Sequence, residues 1–251
     1  MSVDIQLERL YDRIQLVRGP GKPRDGRLCI MSLVAYLAGE SHGDRPSTAS
    51  PVIRNFAIQL NDGVKAEWRQ ELKPFAPRII GTNDGHEWMR GEALVQAVVD
   101  EILPRASAQF GFSEGEIYDR VLDPFMTPYP PQAVVSGHEA LGALLCQVKL
   151  AYSRKDYLML ATWAGNLLVV LSRCAHGVSE KRWYWAKALE LLDRLCDIGG
   201  EQRVPAISMA RLQQAQPIPA TGKGGRASLQ SLVNELGRVK GVCKSMLQHV
   251  M

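Results

Sequence analysis

The chain has 251 residues, 46% of them hydrophobic, enough for one large domain or two small ones around a buried core. Its 30 Lys and Arg against 26 Asp and Glu leave a net charge of +4, too mild for a general polycation. The five cysteines, Cys29, Cys146, Cys174, Cys196 and Cys243, are odd in number, widely spaced and without a CxxC pair. That pattern argues against a disulfide framework or thiolate zinc site and for a reducing, cytoplasmic setting.

The first helix is expected over residues 4–17, with Ile5, Leu10, Ile14 and Val17 on one face, ending in the basic loop GPGKPRDG. Charges in its first turns rule against a secretory leader. A second helix, residues 27–38, is apolar on most sides and should be buried. After the polar loop ESHGDRPSTAS, Ser50 and Pro51 supply an N-cap and a favoured first helical residue for a helix to about residue 61. A short helix follows at 66–72. Pro74 and Pro77 then break the pattern, and FAPRIIGT is the one segment that reads as extended.

Asp84 and Glu87 form a capping pair for a helix reaching residue 102, before Pro104, and Ser113 with Glu116 opens another. The proline-rich segment 123–132 is a candidate seam. Ser136 with Glu139 caps a helix to about residue 152. The apolar run at 157–171 follows, shorter than the roughly 20 residues a membrane span needs. It reads as the central core helix, and no membrane association is expected. A third helix, capped by Ser179, runs to about residue 197, and the three should pack as an antiparallel bundle.

Residues 199–225 read as a Gly-, Pro- and Gln-rich linker with one helical turn near Ser208. In residues 226–251, Leu229, Leu232, Leu236, Val239, Cys243, Met246 and Val250 step by threes and fours, the spacing of a heptad seam. From residue 199 onward Arg203, Arg211, Lys223, Arg226, Arg238, Lys240 and Lys244 face only Glu201 and Glu235, so the positive charge is concentrated in this tail. The expected fold is all-α: a multi-helix globular bundle, residues 1–198, with a linker-tethered C-terminal amphipathic helix.

Candidate chemistry is sparse. Glu40, His42 and Asp44 alternate in one loop, and Asp84, His86 and Glu87 could add ligands from a second, but the spacing fits no established metal motif. Loop composition alone accounts for these residues, so no cofactor is expected. Gly19-Pro20-Gly21-Lys22 and Gly222-Lys223-Gly224-Gly225-Arg226 lack the GxxxxGK[ST] form and are not expected to follow a strand. No Ser or Cys has a nucleophile's context. The stretch Lys181-Arg182-Trp183-Tyr184-Trp185-Ala186-Lys187 is the most unusual: three consecutive aromatics span about 200° of a helix and cannot all face one core.

Cys29-Ile30-Met31, Ala38-Gly39-Glu40, Asp44-Arg45-Pro46 and Pro51-Val52-Ile53 together resemble the defining segment of a family of bacterial proteins, many of them actinobacterial, without an assigned activity. The likeness extends through Asn61-Asp62 to Ile80-Gly81-Thr82, about a third of the chain. Members of that family often carry a second cysteine near the position of Thr48, and its absence here counts against a paired-cysteine metal site.

The leading expectation is a non-catalytic helical protein working through protein-protein contacts. Its interface residues would be Trp183, Tyr184 and Trp185, with Leu229, Leu232, Leu236, Val239, Met246 and Val250 driving self-association. Two alternatives stand beside it. One is nucleic-acid binding by Lys181, Arg182, Lys187, Lys223, Arg226, Lys240 and Lys244. The other is a metal-dependent enzyme using Glu40, His42 and Asp44.

Overall fold

The computed structural model describes residues 3–111, 137–200 and 206–213. The fold is predominantly α-helical, with one three-stranded sheet of two-residue strands. The expected helix starts at Ser113, the proline seam at 123–132 and the terminal helix at 226–251 lie outside the described residues.

Helix α1 (Val3–Arg13) ends four residues before Val17 because the chain then extends into β1 (Gln15–Leu16). The expected basic loop is a miniature hairpin, β2 (Gly21–Lys22) and β3 (Arg27–Leu28). The sheet order is β1-β3-β2, parallel for β1 and β3 and antiparallel for β2 and β3. Gly21 permits this closeness: its φ is +74°, and a Cβ there would lie 2.2 Å from the Arg27 carbonyl oxygen. The outer edge of β1 is closed by a side chain. Gln70 accepts from the Leu16 N–H and donates back to the Leu16 carbonyl, both at 2.9 Å, as a neighbouring strand would.

Helix α2 (Ile30–Leu37) starts three residues later than expected, with the Cys29 sulfur accepting from the Ser32 N–H. All of α2 but Tyr36 is buried. It is tied to α3 (Pro51–Gly63) by Asn61, only 1% exposed, which accepts from the Ile30 N–H at 3.1 Å and donates to the Val17 carbonyl at 2.8 Å. Pro51 begins α3 as expected, but the Ser50 hydroxyl makes no capping bond. Instead the Ser50 N–H donates to the Thr82 hydroxyl at 2.8 Å.

Short helical turns follow: α4 (Ala66–Arg69), a 3-10 turn (Gln70–Phe75) and α5 (Ala76–Ile79). The segment read as extended is therefore mostly helical, because Pro77 sits in the first turn, where its missing N–H costs no bond. Helix α6 (Glu87–Ala97) passes through a π turn (Val98–Ile102) into α7 (Leu103–Phe110). The expected stop at Pro104 is absent: α7 begins afresh after the wider turn, and Pro104 again falls at a helix start.

Helices α8 (Gly137–Ser153), α9 (Tyr157–Cys174) and α10 (Val178–Asp197) follow. Asp156 caps α9 by accepting from the Met159 N–H at 3.0 Å. Packed against α3, α8, α10 and α6, α9 is the central core helix. It runs parallel to α3: Asn55 reaches the Leu158 carbonyl, Gly165 lies on Phe56 and Gln59, and Gly63 on Val169. Gly165 and Gly63 allow that approach, since added Cβ atoms would sit 2.8 Å from Gln59 and 2.4 Å from Val169. Finally α11 (Met209–Gln213) returns to α2. The Ser208 N–H donates to the Leu37 carbonyl and the Tyr36 hydroxyl to the Arg211 carbonyl. Part of the segment read as linker is thus packed on the body, with Leu212 buried.

Candidate interaction surface

On α10 the three aromatics divide by direction. Trp185 and Tyr184 are fully buried. The Trp185 indole N–H donates to Glu71 at 2.9 Å, and its ring stacks on Trp68 at 6.0 Å between centroids. Burial pushes the Tyr184 hydroxyl up to about 12. Trp183, half-buried, is the one that reaches outward, and it is covered by cations: Arg105 lies 4.3 Å and Lys187 5.6 Å from its ring centroid.

Those cations are themselves neutralised. Arg105 forms a two-bond pair with Glu180, Arg182 pairs with Glu71 at 2.7 Å, and Lys187 bridges Glu101 and Glu190, each at 2.7 Å. Arg194 joins Glu101 and Glu190 as well. Burial works against the Lys187 charge, but the two carboxylates outweigh it and hold the ammonium above its ordinary range. This face of α10 is an ion-pair lattice that ties the 3-10 turn, the π turn and α7 to α10.

The two polar loops named as possible metal ligands do meet. Gly81 N–H donates to the Thr48 hydroxyl at 2.7 Å, and Asn83 N–H to the Thr48 carbonyl at 3.0 Å. Two of their carboxylates, Glu40 and Asp84, are however occupied with protein groups. Glu40 accepts from the Ser47 N–H, the Ser47 hydroxyl and the Thr48 N–H, clasping its own loop. Asp84 accepts two bonds from the buried guanidinium of Arg90, at 2.6 and 2.9 Å. His42 is exposed and Asp44 half-buried. Among the described residues no three His, Cys, Asp or Glu side chains are grouped to hold a metal. Cys29 is buried and its thiol is pushed up by burial, the reverse of an activated nucleophile.

What the sequence reading passed over is an exposed aromatic surface where α6, α8 and α9 meet. Trp88 is 58% exposed on the first turn of α6, with Met89 beside it. One turn along, a Cβ on Gly91 would lie 2.1 Å from the Tyr157 ring, and the Tyr152 hydroxyl donates to Glu92 at 3.3 Å. Those contacts set Tyr152 of α8 and Tyr157 of α9 against the turn of α6 that follows the exposed Trp88 and Met89, and Leu158, next to Tyr157, is exposed as well. The available signal was Trp88-Met89 in the polar first turn of a helix, away from the apolar stripe. Leu229, Leu232, Leu236, Val239, Met246 and Val250 lie outside the described residues, as do Lys223, Arg226, Lys240 and Lys244. Comparison of the chain with protein-family models, with curated proteins and with solved structures returns no match.

Proposed function

We propose that this chain is a non-catalytic helical protein that acts by binding protein surfaces, self-association included. The observation carrying the proposal is the exposed area around Trp88, Tyr152 and Leu158. Large aromatics in water are the residue types that dominate binding energy at protein contacts. The sequence spacing of Leu229, Leu232, Leu236, Val239, Met246 and Val250 supports the same reading, being that of a heptad seam. Membership of the bacterial family that residues 27–82 resemble is likewise a proposal, resting on those motif residues.

The nucleic-acid reading ranks second, because Arg182 and Lys187 already have carboxylate partners. The metal-enzyme reading ranks third, since Glu40 is spent on three hydrogen bonds within its loop.

Light scattering of the full chain over a wide concentration range tests the proposal, together with affinity capture from the native host. The expected result is a mass above 27.8 kDa or a stoichiometric protein partner, reduced by Trp88→Ala and by Leu232→Glu. A chain that stays at monomer mass at every concentration and captures no protein would overturn the reading.

A further inference from the structure

A concave groove of about 630 Å³ opens beside the miniature sheet, away from the aromatic surface. Its size is that of a small-molecule site. Arg18, Lys22, Arg27, Lys65 and Arg69 line it over an apolar floor that includes Leu16, and no described lining residue is a carboxylate.

Two like-charge juxtapositions converge there. Lys22 and Arg27 are direct cross-strand partners, which places their Cβ atoms about 5 Å apart on one face, a destabilising arrangement for two cations. Burial, and after it the charge of Arg18, pulls the Arg69 guanidinium below its ordinary range, with Asp62 and Glu67 acting the other way. Arg69 is engaged internally, donating to the Asn61 and Val64 carbonyls. Arg18, Lys22, Arg27 and Lys65 are exposed, and among the described residues none of them makes an ion pair. The nearby Asp62 carboxylate accepts from the Gly19 N–H and from Asn61, so it serves the loop.

The loop Gly19-Pro20-Gly21-Lys22 does follow a strand, contrary to expectation, and delivers Arg18 and Lys22 to the groove. Elsewhere on the molecule clustered cations are neutralised by Glu71, Glu101, Glu180 and Glu190. Here they are gathered, left in water and set against one another, so a polyanion in the groove would relieve repulsion as well as form charged hydrogen bonds.

We infer that the groove binds a small polyphosphate-bearing ligand of nucleotide size through Arg18, Lys22, Arg27 and Lys65. The proposal is independent of the protein-contact reading.

Calorimetric titration and thermal shift of the full chain with inorganic tripolyphosphate and with adenosine triphosphate test it, alongside a fluorescent single-stranded oligonucleotide. Lys22→Gln/Arg27→Gln should weaken tripolyphosphate binding roughly a hundredfold, because each charged hydrogen bond removed is worth about a decade in affinity. Without ligand that variant should unfold at the same or a higher temperature than the parent. Arg154→Gln/Lys155→Gln, which removes the same charge at a distant connection, should bind within about twofold of the parent. Lys65→Gln repeats the test without touching the hairpin, should the double variant fail to fold. Equal losses in the groove and distant variants would overturn the inference, as would no binding of either small probe. Preference for the oligonucleotide with a steep salt dependence would also overturn it, in favour of a nucleic-acid surface.

Discussion

Replacing Arg90 by methionine tests the account of how α6 is held to α10. The Arg90 side chain is 0% exposed and makes four bonds: two to Asp84, one to the Leu195 carbonyl at 3.1 Å and one to the Ile198 carbonyl at 2.8 Å. It therefore joins the loop before α6 to the C-terminal end of α10. Methionine fills much of the volume but leaves Asp84, 19% exposed, with a charge and no guanidinium. Breaking such a pair from one side costs about 3–5 kcal/mol, a large share of the roughly 5–15 kcal/mol that holds a domain folded.

Burial alone would raise the Asp84 carboxyl, but the bonds from Arg90 and His86 outweigh it and hold the group well below the usual carboxylate range. The sign follows. A depressed carboxyl stabilises the fold above its unfolded value of about 4, and that contribution is lost as pH falls through the folded value. Urea unfolding followed by circular dichroism should give an Arg90→Met loss of about 3–5 kcal/mol at neutral pH and a flatter acid limb than the parent. Asp84→Asn should also destabilise, and the double variant should lose much less than the two single losses added together. A cost below about 1 kcal/mol, or additivity within about 0.5 kcal/mol, would refute the reasoning.

Gly165→Ala should destabilise by about 1–3 kcal/mol despite better helix propensity, because the new methyl meets Gln59 at 2.8 Å and the Phe56 carbonyl oxygen at 3.2 Å. Thermal unfolding reads this directly, and an unchanged midpoint would mean that α3 and α9 can slide apart freely. Lys73 donates to the Tyr11 carbonyl at 2.7 Å, and burial pushes its ammonium down to about 8, with Asp12 opposing. Because the folded value is depressed, stability should rise as pH climbs from about 8 towards 10.4, and Lys73→Met should remove that rise. A parent midpoint flat across that interval would contradict the burial argument. Gln70→Ala should cost about 1 kcal/mol and speed hydrogen exchange at the Leu16 amide, since β1 then has an open edge. Unchanged exchange would show that the edge was closed by something else.

How much of this was legible beforehand varies by element. The helix starting at Pro51 and the apolar helix following Asp156 could be read from local signals, a proline at a first turn and a carboxylate one residue ahead of an apolar run. The sheet could not be read, because strands of two residues are too short for alternation to register. The π turn before Pro104 was equally hidden, since periodicity predicts where a helix is uniform and not where it widens. Among candidate site residues, Glu40 and Asp84 were noticed for their chemistry. Their partners, Ser47 and Arg90, decide what that chemistry is used for.

Taken alone, the sequence determined helicity, the central position of the 157–171 run and the necessity that one of Trp183, Tyr184 and Trp185 face outward. These are local or angular properties, set by side-chain type and a 100° step. Tertiary structure decided which charges are spent and which are left for solvent. Lys187 and Arg182 look like Lys22 and Arg27 in a string of letters. Only the fold brings Glu71 and Glu101 to the first pair and sets the second pair opposite each other beside a concave groove. Coulomb energy depends on distance and burial, and neither is written in residue order.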